Sequence, residues 1–371
     1  MQCRSLSIAE GDQRVSCLTL NAGWIVACVE CEHLGAWMVG AVRIDDSASA
    51  PLLRVLTSTD AEVPQRSRPI DLSVSSDRML AVTTDVEGIH MLRLSKSGTP
   101  PSAKGVQILR PKVQNRLAPA LTGCARWIGA ASDNRALAVK FTDPGRREDI
   151  VQVFGHLGDG ADKLNVIRVM HTSDGGVSQF DACDPGRMAI VMGKERRLHL
   201  FRLREDDVFV HTPVDLRLHA PEGLSAINAY TCVTLALGDR LAAVAYCFPQ
   251  KPGGVVDVFD TAGGSLIARR VVPDGIPTSL STRGRQVLVA VSVWSSTPES
   301  KKGSSSVLYA FNAQSAANVG IYRGGETHPA WPARSICLRK GEWCYARTAY
   351  GGTSGKRITV IDHASCSSAD L

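Results

Sequence analysis

The sequence IDLSVSSDRMLAVTTDVEGIHMLRL, at residues 70–94, predicts three short β-strands in succession. Apolar and polar residues alternate from Ile70 to Val74, which is typical of a strand with one buried face. A polar turn at Asp77 leads into Met79 to Val82, which is almost wholly apolar, and a third strand follows from Ile89 to Leu94. The stretch therefore indicates a small antiparallel sheet whose middle strand is buried on both faces.

The same order of strand, turn, apolar strand, loop and strand occurs in six other places. Seven such units divide the 371 residues into lengths of 371/7, or 53 residues each. A fixed period of this size is the signature of a repeat architecture. The other copies are Cys17 to Asp45, Cys124 to Phe154, Phe180 to Leu203, Val233 to Asp260, Leu280 to Asn312 and Ile336 to Asp362.

The length of the repeat fits one blade of a β-propeller, for which roughly 40 to 50 residues and four strands are usual. A blade packed between two neighbours also explains why the second strands are apolar on both sides. We therefore expect an all-β fold, a seven-bladed β-propeller of four-stranded blades. Its outer strands are predicted at Leu52 to Leu56, Val106 to Leu109, Leu164 to Met170, Val214 to Leu218, Leu266 to Val272 and Val319 to Tyr322.

The seventh copy has no outer strand of its own, because the sequence ends soon after its third strand at Ile358 to Asp362. The segment Cys3 to Ile8 precedes the first copy and has no other strand to pair with. Its donation to the last blade would close the ring and cover an exposed sheet edge. Residues 1–371 are thus predicted to form a single propeller domain, in which residues 1–9 are the closing strand.

Several third strands end on a hydrophobic pair followed by an acid or an amide. These endings resemble a degenerate form of the WD-repeat ending, without the tryptophan, and Gly155-His156 is the only Gly-His pair. The chain is therefore similar to the WD-repeat-like propeller superfamily, although to no particular family within it. The resemblance implies a rigid platform for protein partners, usually without chemistry of its own. The endings are Val42 to Asp45, Asp257 to Asp260, Tyr309 to Asn312 and Thr359 to Asp362.

The sequence predicts no metal site, no cofactor and no catalytic group. The chain has 11 cysteines and one CxxC, at Cys28 to Cys31, but strand alternation sends residues three apart to opposite faces, which favours a buried apolar role. The segment Gly351 to Arg357 (GGTSGKR) lacks the spacing and the hydroxyl residue of a phosphate-binding loop. His171, Ser173 and Asp174 share one loop, where turn formation explains the last two.

Composition and charge argue against several classes of protein. The net charge of +6 is spread along the chain and aromatic residues make up only 5%, so nucleic-acid binding is not expected. No apolar run approaches the roughly 20 residues of a membrane span, and Glu10, Asp12 and Arg14 interrupt any secretory signal. An odd cysteine count and the lack of an Asn-x-Ser/Thr site favour a cytoplasmic or nuclear location.

The longest loops are expected on one face of the propeller, where two kinds of connection emerge together. These connections run from second to third strands and from outer strands to the next blade, and the opposite face is expected to carry mostly short turns. Long loops on a rigid scaffold are the usual place of recognition, although tolerated insertions are an alternative. The candidate partner-binding residues on this face are Arg66, Arg68, Arg116, Arg146, Arg147, Tyr230, Lys301, Lys302, His328, Trp331 and Lys356.

Two functions follow from these patterns. The first is a non-enzymatic scaffold that binds a protein partner through the long-loop face, with Trp331 as its best single anchor. The alternative is a propeller enzyme such as a sugar-lactone hydrolase, because seven-bladed lactonases have a similar length. The Gly-x-Pro-Arg-His stretch expected of that family is missing.

Overall fold

A computed structural model shows an all-β chain. No α-helix occurs in the residues that it describes. Among the same residues there is no helix that is long and apolar enough to cross a membrane. The described residues are 2–7, 13–21, 23–31, 36–43, 53–57, 68–85, 88–94, 107–109, 112–113, 116–117, 124–129, 136–143, 148–155, 165–172, 177–183, 186–192, 196–204, 208–216, 231–247, 253–272, 275–294, 304–314, 318–323, 335–339, 342–346 and 357–362.

The first half of the chain contains β1 (Gln2–Ser7) and three four-stranded sheets. A two-stranded hairpin of β10 and β11 lies between the second and third of these sheets along the chain. Sheet I contains β2 (Gln13–Asn21), β3 (Trp24–Cys31), β4 (Ala36–Arg43) and β5 (Leu53–Thr57); sheet II contains β6 (Pro69–Val74), β7 (Met79–Thr84), β8 (Ile89–Arg93) and β9 (Gln107–Leu109); the hairpin contains β10 (Lys112–Val113) and β11 (Arg116–Leu117); sheet III contains β12 (Ala125–Gly129), β13 (Ala136–Asp143), β14 (Glu148–Gly155) and β15 (Asn165–Thr172).

The second half of the chain contributes the strands of four more sheets. Sheet IV contains β16 (Val177–Cys183), β17 (Arg187–Met192), β18 (Arg197–Leu203) and β19 (Phe209–Asp215); sheet V contains β20 (Thr231–Leu237), β21 (Leu241–Cys247), β22 (Gly254–Asp260) and β23 (Leu266–Val272); sheet VI contains β24 (Ile276–Arg283), β25 (Gln286–Trp294), β26 (Ser304–Asn312) and β27 (Asn318–Arg323); sheet VII contains β28 (Ser335–Arg339), β29 (Glu342–Ala346), β30 (Arg357–Asp362) and β1.

Within the described residues, strand order is sequential in sheets I to VI. In sheet VII the order is β1, β30, β29, β28, so β1 lies beside β30, the last strand in the described part of the chain. The four-stranded sheets fit a β-propeller, as the repeats predicted. One outer strand was predicted wrongly: sheet IV uses Phe209–Asp215 rather than Val214 to Leu218. The strand begins earlier because Leu203 pairs with Phe209 across a short connection.

The second strands of sheets I to VI are buried at successive residues, not at alternate ones. All six residues of β7 are buried, as are the first six of β21. A strand that is covered on both faces needs apolar side chains on both, which is why these strands barely alternate. The apolar second strands of the repeat are therefore explained by their burial.

A β-bulge recurs near the start of the first strand in four sheets. In sheet II it falls between Pro69 and Asp71 and leaves Ile70 as the extra residue, 38% exposed. The predicted alternation from Ile70 was thus wrong at that residue, because a bulge interrupts the period of two. The equivalent bulges lie between Val15 and Cys17, Cys232 and Thr234, and Pro277 and Ser279.

The chain divides into two compact units. The N-terminal unit is Leu6–Gly176 with Ala182–Gly186, and the C-terminal unit is Met1–Ser5, Val177–Asp181 and Arg187–Leu371. A single domain over residues 1–371 stays a prediction.

Within each unit, apolar clusters and hydrogen bonds join neighbouring sheets. In the N-terminal unit, the Asn21 side-chain amide donates to the Val74 carbonyl at 2.6 Å, and Trp127 Nε1 donates to the Ser73 carbonyl at 3.3 Å. In the C-terminal unit, the Leu237 N–H donates to the Asp181 carboxylate at 2.8 Å. Each contact starts from the first strand of one sheet and reaches the first strand of its neighbour.

Candidate protein-binding surface

Arg68 is the predicted site residue whose surroundings are described most fully. Its side chain is exposed. Its N–H donates to Asp85 Oδ1 at 2.7 Å, and its carbonyl accepts the Asp85 N–H at 3.0 Å. Two hydrogen bonds to Asp85 therefore hold the backbone of Arg68 in place, and its exposed side chain extends from this backbone.

The contact between Arg68 and Asp85 joins two kinds of connection. Arg68 ends the connection from β5 to β6, and Asp85 begins the connection from β7 to β8. The connection from the outer strand of sheet I to sheet II therefore meets the connection between the second and third strands of sheet II, at one end of sheet II. We call this end of each sheet the loop end, and the opposite end, where first strands turn into second strands, the turn end.

Arg116 is the second predicted residue with a described backbone. It lies in β11, where it pairs with Val113 of β10. Its side chain and the other nine predicted residues lie outside the described residues, so their place on a common surface stays a prediction. Those nine are Arg66, Arg146, Arg147, Tyr230, Lys301, Lys302, His328, Trp331 and Lys356.

The distribution of long connections differs from the prediction in the N-terminal unit. The expected loop from Thr142 to Asp149 is shorter, because both residues belong to the hairpin of β13 and β14 and Thr142 Oγ1 donates to Asp149 Oδ1 at 2.6 Å. At the turn end, the connections at residues 44–52 and 94–106 are long. The expectation that this end carries mostly short turns stays a prediction.

An arginine cluster at the turn end of sheets IV and V was missed from the sequence. Arg187 and Arg202 are directly opposed on β17 and β18, and Arg187 donates to the Thr261 hydroxyl. The Thr261 N–H donates to the Arg240 carbonyl at 3.1 Å. Arg202 and Arg240 are exposed. These arginines are distant in the sequence, and they come to one end of the two sheets through the pairing of Arg187 with Arg202 and the contacts of Thr261 with Arg187 and Arg240.

Two pairs of side chains bring groups with possible chemistry together, Cys17 with Cys28 and His199 with His211. A hydrogen bond with Cys28, followed by burial, raises the pKa of the Cys17 thiol well above its usual range. Cys17 is therefore protonated at neutral pH and is not an activated nucleophile. His199 Nδ1 and His211 Nε2 lie 2.9 Å apart beside Phe201. Among the described residues, no group of three or more His, Cys, Asp or Glu could hold a metal ion.

Comparison with known proteins shows the fold and no family. No family model matches the chain, and no curated protein matches it in sequence. A chain from the crystal structure of a mitotic checkpoint complex is similar with a TM-score of 0.54 and 11% identity, over 97% of this chain and 93% of that one. The likeness supports a β-propeller-like fold. WD-repeat membership stays a prediction.

A second solved structure is similar over most of its length. The computationally designed Ika8 protein has a TM-score of 0.48 and 11% identity, over 96% of this chain and 98% of that chain.

Proposed function

We propose that this protein is a non-enzymatic interaction scaffold, a seven-bladed β-propeller closed by β1, that binds a protein partner through its loop end. The fold likeness to a component of a multi-protein complex supports the role, and the order β1, β30, β29, β28 supports the closure. The odd number of cysteines supports a cytoplasmic or nuclear location.

The contact between Arg68 and Asp85 carries the choice of the loop end. It shows that connections of both kinds meet there and that an arginine fixed through its backbone projects outward from them. Arginine and tryptophan are the residues most often found as interface anchors. Arg68 is therefore proposed to act with Arg66 on the same connection, and Trp331, Lys301 and Lys302 are proposed to lie on the same surface.

The experiment is affinity purification of the full chain, followed by quantification of the co-purified partner. The loop-end variant combines Arg68→Glu, Lys301→Glu, Lys302→Glu and Trp331→Ala. We expect it to lose the partner while keeping its strand-dominated circular dichroism spectrum, because loss of an anchor typically costs about 2 kcal/mol or more of binding.

The matched control changes charge at the turn end instead. Arg202→Glu with Arg240→Glu removes two exposed arginines from the cluster around Thr261. It should retain the partner. Loss of the partner in this control, with retention in the loop-end variant, would assign binding to the turn end and contradict the proposal.

A further inference from the structure

Strand β23 ends sheet V, so one side of its backbone has no neighbouring strand among the described residues. Such an edge presents N–H and C=O groups to which another strand can pair. Natural proteins usually protect these edges with charged side chains, proline or a β-bulge. A bulge protects one end of β23, because the register shifts around Ile267. From Ala268 to Val272 the pairing with β22 is regular.

The two arginines of this regular segment are both engaged by other side chains of the C-terminal unit. Arg269 donates from Nε and Nη2 to the two carboxylate oxygens of buried Asp257, at 2.7 and 2.8 Å. Arg270 lies over the ring of Phe311 in sheet VI, 5.6 Å from the ring centroid. Both cations are thus held by neighbours inside the fold, and neither protects the edge.

The residue that the edge does expose is apolar. Val271 is 63% exposed, the largest value among the large hydrophobic residues described. Because alternate residues of a strand face opposite sides, Val271 lies on the side opposite Arg270. An added strand would cover Val271 with one residue and meet Arg270 with the adjacent one.

The side chain of Arg270 favours an acidic residue at the position of the added strand that lies opposite it. Its Nε and Nη2 are buried and have no hydrogen-bond partner, and among the described residues no carboxylate pairs with it. A cation balanced only by an aromatic ring is incompletely compensated. A residue directly opposite Arg270 in an added strand would have its Cβ about 5 Å from the Cβ of Arg270, so a glutamate there would lie on the same face of the sheet as the arginine side chain.

We propose that the open edge of β23 binds an extended segment of another protein, which adds as a fifth strand and places an acidic residue opposite Arg270 and an aliphatic residue opposite Val271. Backbone hydrogen bonds supply the affinity of such strand addition, and the two side chains select the segment. This edge runs along the outside of sheet V and reaches the loop end at Val272, and the test of peptide binding does not require the loop-end partner.

The test uses the purified full chain and a fluorescein-labelled peptide, Val-Thr-Val-Glu-Val-Thr-Val, followed by fluorescence anisotropy. The comparison peptide carries lysine in place of glutamate. We expect the glutamate peptide to bind at least about tenfold more tightly, a difference of about 1.4 kcal/mol. Arg270→Glu should reverse that preference.

Val271→Lys adds a charge to the open edge and should weaken binding of the glutamate peptide about tenfold. Because Val271 is exposed, this variant keeps the fold even if Arg270→Glu does not. Val210→Lys is the matched control, since Val210 is a 45% exposed valine on outer strand β19. It should leave the affinity unchanged.

Three results would overturn the proposal. They are no binding of the glutamate peptide, equal binding of the lysine peptide, or equal losses from Val210→Lys and Val271→Lys. A concentration-dependent dimer that Val271→Lys dissociates, without peptide binding, would show that the edge pairs with a second copy of this chain instead. Because the assay contains only the protein and the peptide, its outcome is independent of the loop-end experiment.

Discussion

Strands β19 and β23 hold the same outer position in neighbouring sheets of the C-terminal unit, but only β19 has a proline that protects its edge. In β19 an exposed proline, Pro213, lies opposite His199 and has no N–H to offer an added strand. In β23 there is no proline, and the guanidinium groups of Arg269 and Arg270 are engaged elsewhere. The contrast shows that a charged residue in an edge strand is not enough to protect that edge. The edge is protected only when the charged group itself lies beside it.

The ion pair of Asp257 with Arg269 is the contact whose loss should change this contrast most. Asp257→Ala is expected to lower the free energy of unfolding by about 2 to 3 kcal/mol, less than for a fully buried pair because the partly exposed Arg269 can turn to water. Urea denaturation would measure the loss. The released guanidinium should also reach the open edge and weaken binding of the glutamate peptide, making β23 a protected strand.

An exposed ion pair provides the control for that variant. Arg93 lies 3.4 Å from Asp77, with 45% and 22% of the two side chains exposed. Arg93→Ala should cost less than about 1 kcal/mol, since exposed pairs contribute little. An equal loss of stability in the two variants would show that burial of Asp257 does not matter.

The contact of Arg270 with Phe311 should have the next largest effect. A double-mutant cycle of Arg270→Met and Phe311→Leu is expected to give a coupling energy of about 1 kcal/mol, as for a partly desolvated cation over an aromatic ring. Chemical denaturation of the four proteins would measure it. A coupling energy of zero would mean that the ring does not hold Arg270 away from the edge.

Pro213 should affect stability least and association most. Pro213→Thr restores an N–H on β19, so we expect the free energy of unfolding to change by less than about 0.5 kcal/mol while self-association at high concentration rises. Sedimentation velocity over a range of concentrations would detect the change. If the variant stays as monomeric as the parent chain, Pro213 is not what protects β19.

The sequence predicted the sheets better than it predicted their edges. The second strands can be recognised from their continuous apolar sequence. Met79 to Val82 were predicted as one such strand, and the observed strand, which is buried on both faces, ends only two residues later, at Thr84. Strand β19 was placed too late because its exposed residues Val210, His211 and Pro213 do not form an alternating apolar pattern. An edge strand is constrained on one side only, so its composition is a weaker signal.

The candidate surfaces could be predicted only in part. Arg68 could be chosen as a candidate because it lies in a long connection. Its hydrogen bonds with Asp85 could not be predicted, because they form only where two connections meet in the folded chain. Arg270 and Phe311 belong to different sheets, and Asp257 faces Arg269 only in the observed register. A local sequence pattern cannot predict such contacts, because they depend on strand register and on how the sheets pack against one another.

The pairing of β1 with β30 has a consequence for how the protein is made. Strand β1 leaves the ribosome long before β30, so it must wait for β30 before sheet VII can be completed. At about 5 to 20 residues per second, synthesis of the intervening chain takes on the order of tens of seconds. During that interval Gln2–Ser7 has no native partner strand, so this segment is where a nascent chain would most need a chaperone.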